Sequence, residues 1–485
     1  MSFAINQFTG FGVASSLVPP ASNAWDFMTQ SLVDTIDGAT LTFKRDNDPP
    51  VNTNSWYWDA NLDYVSDADS TTPRWEYYPA DLGDASAGDE RGLLIEGTGH
   101  DTAATALVND NNYSYELNSN SQWAETRISF TTGQASPDGN NRALKHTATV
   151  TSGTHLNYSG NRSLTGATLG SGVCVQLHYK NVHSNQRYFM MELTAGTSGG
   201  STYRAVFDTV NHTVVDSSST GATGNAILFA GAVPVADGYY NAVLSGVLTG
   251  NTTCQFRYYL GDGDAISDHT GAWAGAGDDT TAMLFWNCML SYRGAAHNHK
   301  LCTVGDTGSR GDGCRIATGD LNGFNNDAGT LWLEVEWPEE CQQDHAYMMG
   351  IGDGANTDYI SLAFAQNDVS NNPRHWAWIR ENNVAQTSNV EDLVDPTTST
   401  IHRVAITWDR DAATMQSAYD GAAATQQTSF SIPTSDHLDY LYIGRLPSGD
   451  ATTLMGQGRG KFWVRKARYY NTALTEGELK AITTL

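Results

Sequence analysis

Acidic and amide side chains crowd two short loops. The segment "GDGDAISDH" offers Asp262, Asp264 and Asp268, and "GDLNGFNND" offers Asp320, Asn322, Asn325 and Asp327. Clustered oxygen ligands on loops suit a hard cation, and calcium is the metal they would take. Neither loop follows the EF-hand pattern: after Asp262 and Asp264 the next ligand position holds Ile266, and no glycine follows. Asp and Asn in turns more often accept hydrogen bonds from nearby backbone. Calcium at Asp262, Asp264 and Asp268 is therefore the one metal expectation, and no other cofactor is expected.

A second chemistry is sugar recognition, which uses aromatic faces and planar hydrogen-bonding groups. In "NNPRHWAWIREN", alternation sets Trp376 and Trp378 on one strand face, with Arg380 in the same parity, and His375, Ala377 and Ile379 on the other. If Ala377 and Ile379 point inward, both indoles stand outside as a stacking platform. If the indoles point inward they are core, the commoner fate of tryptophan pairs in sandwiches. Cleavage of a polysaccharide would need two carboxylates about 5–10 Å apart across the bond. Glu334, Glu336, Glu339 and Glu340 include an alternating pair, for which a solvated face is expected. No G-x-S-x-G or H-E-x-x-H segment occurs, so esterase and zinc-protease readings lack an anchor. No catalytic residue is assigned, and the chain reads as a non-enzyme. The pair His297 and His299 reads as a polar linker at a module junction. Cys302 and Cys314 flank a Gly- and Asp-rich loop and would be the pair to join in an oxidising medium; otherwise buried thiols are expected.

The elements that must position these groups are strands. Gly, Ser, Thr, Asn and Asp abound, charged residues make up only 16%, and this mix favours short strands and many turns over helices. In "LGSGVCVQLHYKN", Val173, Val175, Leu177 and Tyr179 alternate with Cys174, Gln176 and His178. In "GTLWLEVEWP", Leu331, Leu333, Val335 and Trp337 alternate with Trp332, Glu334 and Glu336. "HRVAITWDRD" puts Val404, Ile406 and Trp408 on one face, and its return strand ends at Asp420-Gly421. Period-two patterning with turn clusters between strands predicts β-sandwiches. The end, "ALTEGELKAITTL", is the one helix: Thr475 and Glu478 form a capping box, and Leu474 and Leu479 have staple spacing.

These segments divide the 485 residues into an N-terminal arm (1–40) carrying Phe3, Phe8 and Phe11, a loop-rich region (41–118), and two sandwiches (119–298 and 299–485). The fold class is all-β and multi-domain: two jelly-roll modules, a loop-rich attachment region and a short C-terminal helix. A formal net charge of −26 argues against nucleic acid and anionic membranes as partners. No stretch approaches the roughly 18 apolar residues of a span. The start, "MSFAINQFTGFGVASS", lacks a basic n-region and apolar run, so synthesis in the cytoplasm is expected.

The stretch "LTFKRD…PRWEYYPADLGDASAGDERGLLIEG" resembles the N-terminal signature of a family of tailed-bacteriophage tail and virion proteins. The matching residues are Thr42, Phe43 and Arg45; Pro73, Arg74, Trp75 and Tyr77; and Arg91, Gly92, Leu93, Leu94, Ile95 and Glu96. Leu93 and Ile95 would face a small core, while Arg91 and Glu96 fix the strand ends. Where that family continues with Arg-Thr-Asn, this chain has "GTGHDTAATAL". The middle module resembles the family's carbohydrate-binding-like jelly roll through its Trp-led strand "SQWAETRISF", a turn at Pro137–Gly139 and a strand with His155; Gly238-Tyr239-Tyr240 stands where Gly-Trp-Tyr is usual. The last module resembles the family's concanavalin A/laminin G-like domain.

The resemblance implies a virion protein on the particle exterior, as tail fibre, spike or head fibre. Its N-terminal region would bind other virion proteins and its sandwiches host surface glycans, with many weak contacts summing to avidity. A homotrimer is the usual habit of such fibres. The alternatives are a capsid decoration protein with a purely structural role and, ranked lowest, a polysaccharide depolymerase tailspike.

Overall fold

The computed structural model describes residues 18–46, 55–58, 64–67, 73–77, 89–96, 117, 123–137, 139, 141–164, 169, 172–183, 185–196, 198–221, 227, 229–235, 237–292, 311–336, 346–353, 357–367, 372–382, 384–392, 401–433, 438–444 and 461–484. Among them, all strand pairs are antiparallel and gather into four large sheets and one small hairpin. Two sandwiches and a short C-terminal helix form, as the alternation predicts.

One sandwich is made from residues 123–292. Val173, Val175, Leu177 and Tyr179 of the strand Gly172–Asn181 point into its core, where Phe189, Met191, Leu193, Phe256, Tyr258 and Leu260 of the opposing sheet meet them. Trp123 stands edge-on to Phe256 at 6.3 Å, and Phe189 stacks on Phe207 at 5.2 Å. The expected turn is present, with Gly139 N donating to Ser136 O at 2.9 Å. The strand's other face is also buried: Cys174, Gln176 and His178 are each at most 2% exposed.

The second sandwich takes its residues from both ends of the chain. Leu331, Leu333, Val335, Val404, Ile406 and Trp408 line one inner face; Ile316, Ile351, Ile360, Leu362, Ala377, Ile379, Leu441 and Ile443 line the other. Two N-terminal strands share one edge of the strand Lys461–Tyr470. Glu90–Glu96 pairs with its first half and Asn23–Asp26 with its second. A third, Thr42–Asp46, pairs with Gly311–Ala317 in the facing sheet. Without these partners both sheets would end in open edges, which present unpaired backbone groups. Trp25, Phe27, Leu41, Phe43, Leu93 and Ile95 complete the core.

This pairing corrects the division at 1–40, 41–118 and 299–485. The strands Asn23–Asp26, Thr42–Asp46, Trp75–Tyr77 and Glu90–Glu96 belong to the C-terminal sandwich, and the 123–292 sandwich is inserted between its two halves. The core behind RGLLIE is accordingly the full core of that sandwich. Phe3, Phe8, Phe11, His297, His299, Cys302 and Trp337 lie outside the described residues. Cys174, Cys254, Cys288 and Cys314 are all buried. The helix Glu476–Thr483 begins with the expected reciprocal cap between Thr475 and Glu478. Leu474 and Leu479 pack together with Trp332, Ala405 and Ile482 on the outside of the sheet that carries RGLLIE.

Candidate functional site

The RGLLIE strand is a structural element built around one backbone irregularity. Trp75 lies opposite Leu93 and Glu76 opposite Gly92, and then the register slips so that Tyr77 faces Glu90. Gly92 has φ +116°, and a Cβ there would lie 2.6 Å from the Val464 carbonyl oxygen. The slip turns Arg91 onto the outer face. Its guanidinium donates twice to Glu336 Oε1, at 2.7 and 3.0 Å, and lies 3.2 Å from the Trp463 ring centroid. Leu94 N donates to the carbonyl of the buried Arg74 at 2.9 Å. Arg91 is thus anchored to Glu336, and the side chains of Arg45 and Glu96 lie outside the described residues.

The acidic loop does not gather its carboxylates. Asp262 and Asp264 are exposed, while Asp268 Oδ2 accepts from Ala265 N at 3.2 Å at the start of the short helix Ile266–Thr270. In the other loop Asn325 caps backbone, and Asp327 accepts from Arg410 at 2.7 Å. Among the described residues no three His, Cys, Asp or Glu side chains converge on a point that would hold a metal. The calcium expectation at Asp262, Asp264 and Asp268 thus finds no converging ligand set among the described residues, and Asp268 instead serves as a cap acceptor, the use such loops favour.

The strand Asn372–Glu381 turns Ala377 and Ile379 into the core, along with His375. Burial drives the His375 imidazole pKa down to about 4. Trp378 therefore stands on the outer face, half-buried and edge-on to Tyr359 at 6.2 Å, and Arg380 lies 6.0 Å above the same Tyr359 ring. The side chain of Trp376 lies outside the described residues; its backbone is opposite Ala363 and Val390. Cross-strand register extends this face. Trp378 is opposite Ser361, Ser361 opposite Gly350, and Gly350 opposite Tyr442, which is opposite Arg315. The next row reads Arg380, Tyr359, Gly352, Tyr440. Rings thus flank the buried Gly350, Gly352 and Ser361, and of these rings Trp378 and Tyr440 are half-buried while Tyr359 and Tyr442 are buried. Tyr440 and Tyr359 stand two strand spacings, about 10 Å, apart. Arg315 lies 4.9 Å over Tyr440. The buried Ser361 hydroxyl has no hydrogen-bond partner among the described residues.

The carboxylate pair also departs from expectation. Glu334 and Glu336 are 5% and 0% exposed, so the face they share is covered. Glu336 takes Arg91, and Glu334 Oε2 accepts from Arg403 at 2.9 Å, with Arg465 and Lys466 each 3.8 Å from Oε1. Each acid is therefore bound into an arginine pair. Beside Glu334 a cleft of about 620 Å³ opens over the outer face of this sheet. Trp332, Glu334, Arg403, Lys466 and Arg468 line it together with the Val18–Ala21 segment and Ile482 at the helix end, and Val18 and Ala21 pack against the Trp332–Ile482 cluster. The Trp332 indole N–H donates to the Ile482 carbonyl at 2.9 Å, and Arg468 covers the ring at 4.5 Å. Sequence reasoning missed this cleft. A signal was present in "VRKAR", a knot of cations in a chain with 27 basic and 53 acidic residues.

No family model matches the chain, and no curated protein matches it. Among solved structures it is similar to the NanB sialidase from Streptococcus pneumoniae, at 12% identity and a TM-score of 0.29 over 35% of this chain and 26% of that chain. It is also similar to the Ruminococcus gnavus IT-sialidase CBM40 bound to alpha2,3 sialyllactose, at 13% identity and a TM-score of 0.27 over 33% of this chain and 84% of that one. A third is the SAP-like pentraxin from Limulus polyphemus, at 8% identity and 0.26 over 32% and 68%. The chain thus spans about a quarter of the pneumococcal sialidase's length. Likenesses this low assign neither ligand nor reaction. Among the described residues no helix is long and apolar enough to cross a membrane.

Proposed function

We propose that the chain is a non-catalytic glycan-binding protein displayed on the exterior of a tailed-phage particle. The observation that carries glycan binding is the outer face of the C-terminal sandwich, where Tyr440 and Tyr442 stand across a Gly350–Gly352–Ser361 floor from Tyr359 and Trp378. Trp378 and Tyr440 are the half-buried rings of this face that reach solvent, while Tyr359 and Tyr442 are 1% and 5% exposed; with Arg380 and Arg315 beside them they combine apolar contact with fixed polar groups, which is what orients a small ligand. A non-catalytic role is supported by the arginine pairs that engage Glu334 and Glu336. The virion location rests on the order of motifs from Thr42 to the C-terminal helix, with the N-terminal region as the contact to other virion proteins and a homotrimer as the assembly.

The test is a glycan array of bacterial surface polysaccharides probed with the full chain, followed by Trp378→Ala. Binding to a defined set is expected, with the variant losing about tenfold or more in affinity, the size of a lost aromatic anchor, while still unfolding cooperatively at a melting temperature lowered by the lost packing on Tyr359. Silence across the array would leave a purely structural role in the particle. Release of reducing ends from any bound polysaccharide would make the chain a depolymerase.

A further inference from the structure

The cleft over Trp332 lies in the opposite sheet from the aromatic trough, and its chemistry differs. Three cations, Arg403, Lys466 and Arg468, line it with the single acid Glu334, which Arg465 also approaches to 3.8 Å. Arg403 is engaged twice, by Glu334 and by the Thr484 carbonyl. Lys466 and Arg468 are held more loosely. The Lys466 ammonium pairs with Glu334 only at 3.8 Å and makes no hydrogen bond among the described residues. The Arg468 guanidinium rests on the Trp332 ring, with no ion pair or hydrogen bond among the described residues. The two stand two residues apart on one strand face, about 7 Å along it. Both line the cleft, whose other lining is largely apolar: Val18, Pro19, Pro20, Ile36 and Ile482. A concave basic site is unexpected in a chain of net charge −26. The surrounding negative charge repels anions in general, so a ligand must bring hydrogen-bonding complementarity and apolar contact as well as charge.

We infer that this cleft is a second saccharide site, one that takes an acidic sugar by its anionic group. The carboxylate of a uronate-type sugar accepts from Arg468 and Lys466, and the sugar's apolar face lies along Pro19, Pro20 and Ile36. The inference rests on the glycan-binding reading above and adds to it a separate site with a charge requirement.

The test is calorimetric titration of the full chain with trigalacturonate, with the matching neutral galactose oligomer, and with dextran sulfate and inorganic phosphate as separate arms. Trigalacturonate is expected to bind at least about tenfold tighter than the neutral oligomer, and to lose about 10- to 100-fold on Arg468→Gln or Lys466→Ala, as removal of a charge-assisted hydrogen bond does. Rising salt weakens this binding in the unaltered protein, a measurement that stands even where a variant folds poorly. Tighter binding of dextran sulfate or phosphate than of trigalacturonate would overturn the carboxylate assignment. Equal affinity for charged and neutral oligomers would overturn the inference while leaving glycan binding intact. So would loss of trigalacturonate binding on Trp378→Ala but not on Arg468→Gln. Binding of no saccharide at all would remove both readings.

Discussion

At the scale of single residues, Gly92 decides how the N-terminal region attaches. A left-handed φ of +116° alone costs a side chain about 1–2 kcal/mol. The 2.6 Å approach of a Cβ to the Val464 carbonyl adds a backbone clash that no side-chain rotation relieves. Gly92→Ala is therefore expected to destabilise the protein by about 2–3 kcal/mol in chemical denaturation. Gly38→Ala is the control: φ is +83°, but nothing lies within 4 Å, so only the conformational cost of about 1 kcal/mol remains. Equal losses in the two variants would mean that Gly92 does not sit against Val464. Arg91 depends on the same slip, since only the irregular register turns its guanidinium to Glu336 and Trp463.

At the scale of elements, strands whose parity is unbroken were legible. Leu331, Leu333 and Val335 face inward as their alternation says, and so do Val404, Ile406 and Trp408. The strand Lys461–Tyr470 was not legible, because Arg465 is an extra residue against the neighbouring strand: Val335 faces Val464, yet Glu334 faces Lys466. Phe462 and Val464 point inward before this bulge and Ala467 and Tyr469 after it. Simple alternation would bury Lys466 and Arg468; the bulge delivers them to the cleft. The Asp loop misled for another reason, since turn acceptors and metal ligands share the same residue types. Burial of both faces was equally hidden from period-two reading, which expects one wet side, and it places histidines in apolar surroundings. Burial pushes His146 and His178 down to about 3 and His269 and His375 down to about 4. Each stays neutral in the fold while the unfolded chain takes up protons near pH 6.5. Their stabilising effect is complete above that pH and is lost as pH falls toward the folded values, at about 1.4 kcal/mol per pH unit for each histidine. The melting temperature should therefore fall steadily from about pH 6 to pH 4, and His178→Gln should flatten that slope. Asp208, held down to about 2 chiefly by its hydrogen bond from Arg187, contributes its stabilisation in full above about pH 4 and loses it only as pH falls below that and its carboxylate is protonated. A flat melting temperature between pH 6 and 4 would mean that these imidazoles reach water.

At the scale of the whole molecule, chain order and sandwich membership part company. The sandwich of residues 123–292 has all its described strands and its own closed core within one continuous segment. The other is assembled across that insertion: Lys461–Tyr470 takes Asn23–Asp26 and Glu90–Glu96 along one edge, and Gly311–Ala317 takes Thr42–Asp46. Removing residues 1–118 would strip Trp25, Phe27, Leu41, Phe43, Leu93 and Ile95 from the core, where burying each large side chain contributes about 1.5–3 kcal/mol. Together that is about 9–18 kcal/mol, as large as the roughly 5–15 kcal/mol that holds a domain folded. A fragment of residues 119–298 is thus expected to unfold in one cooperative transition, whereas residues 299–485 alone should show no sharp melting and should aggregate through the exposed edges. Joining residues 18–96 to 311–485 by a flexible Gly-Ser linker, in place of the inserted sandwich, should restore a cooperative transition in near-ultraviolet circular dichroism. A sharp transition in the 299–485 fragment alone would show that the N-terminal strands are an addition to a finished sandwich. Failure of the joined chain alongside a folded 119–298 fragment would show that the inserted sandwich is needed to bring the two halves together.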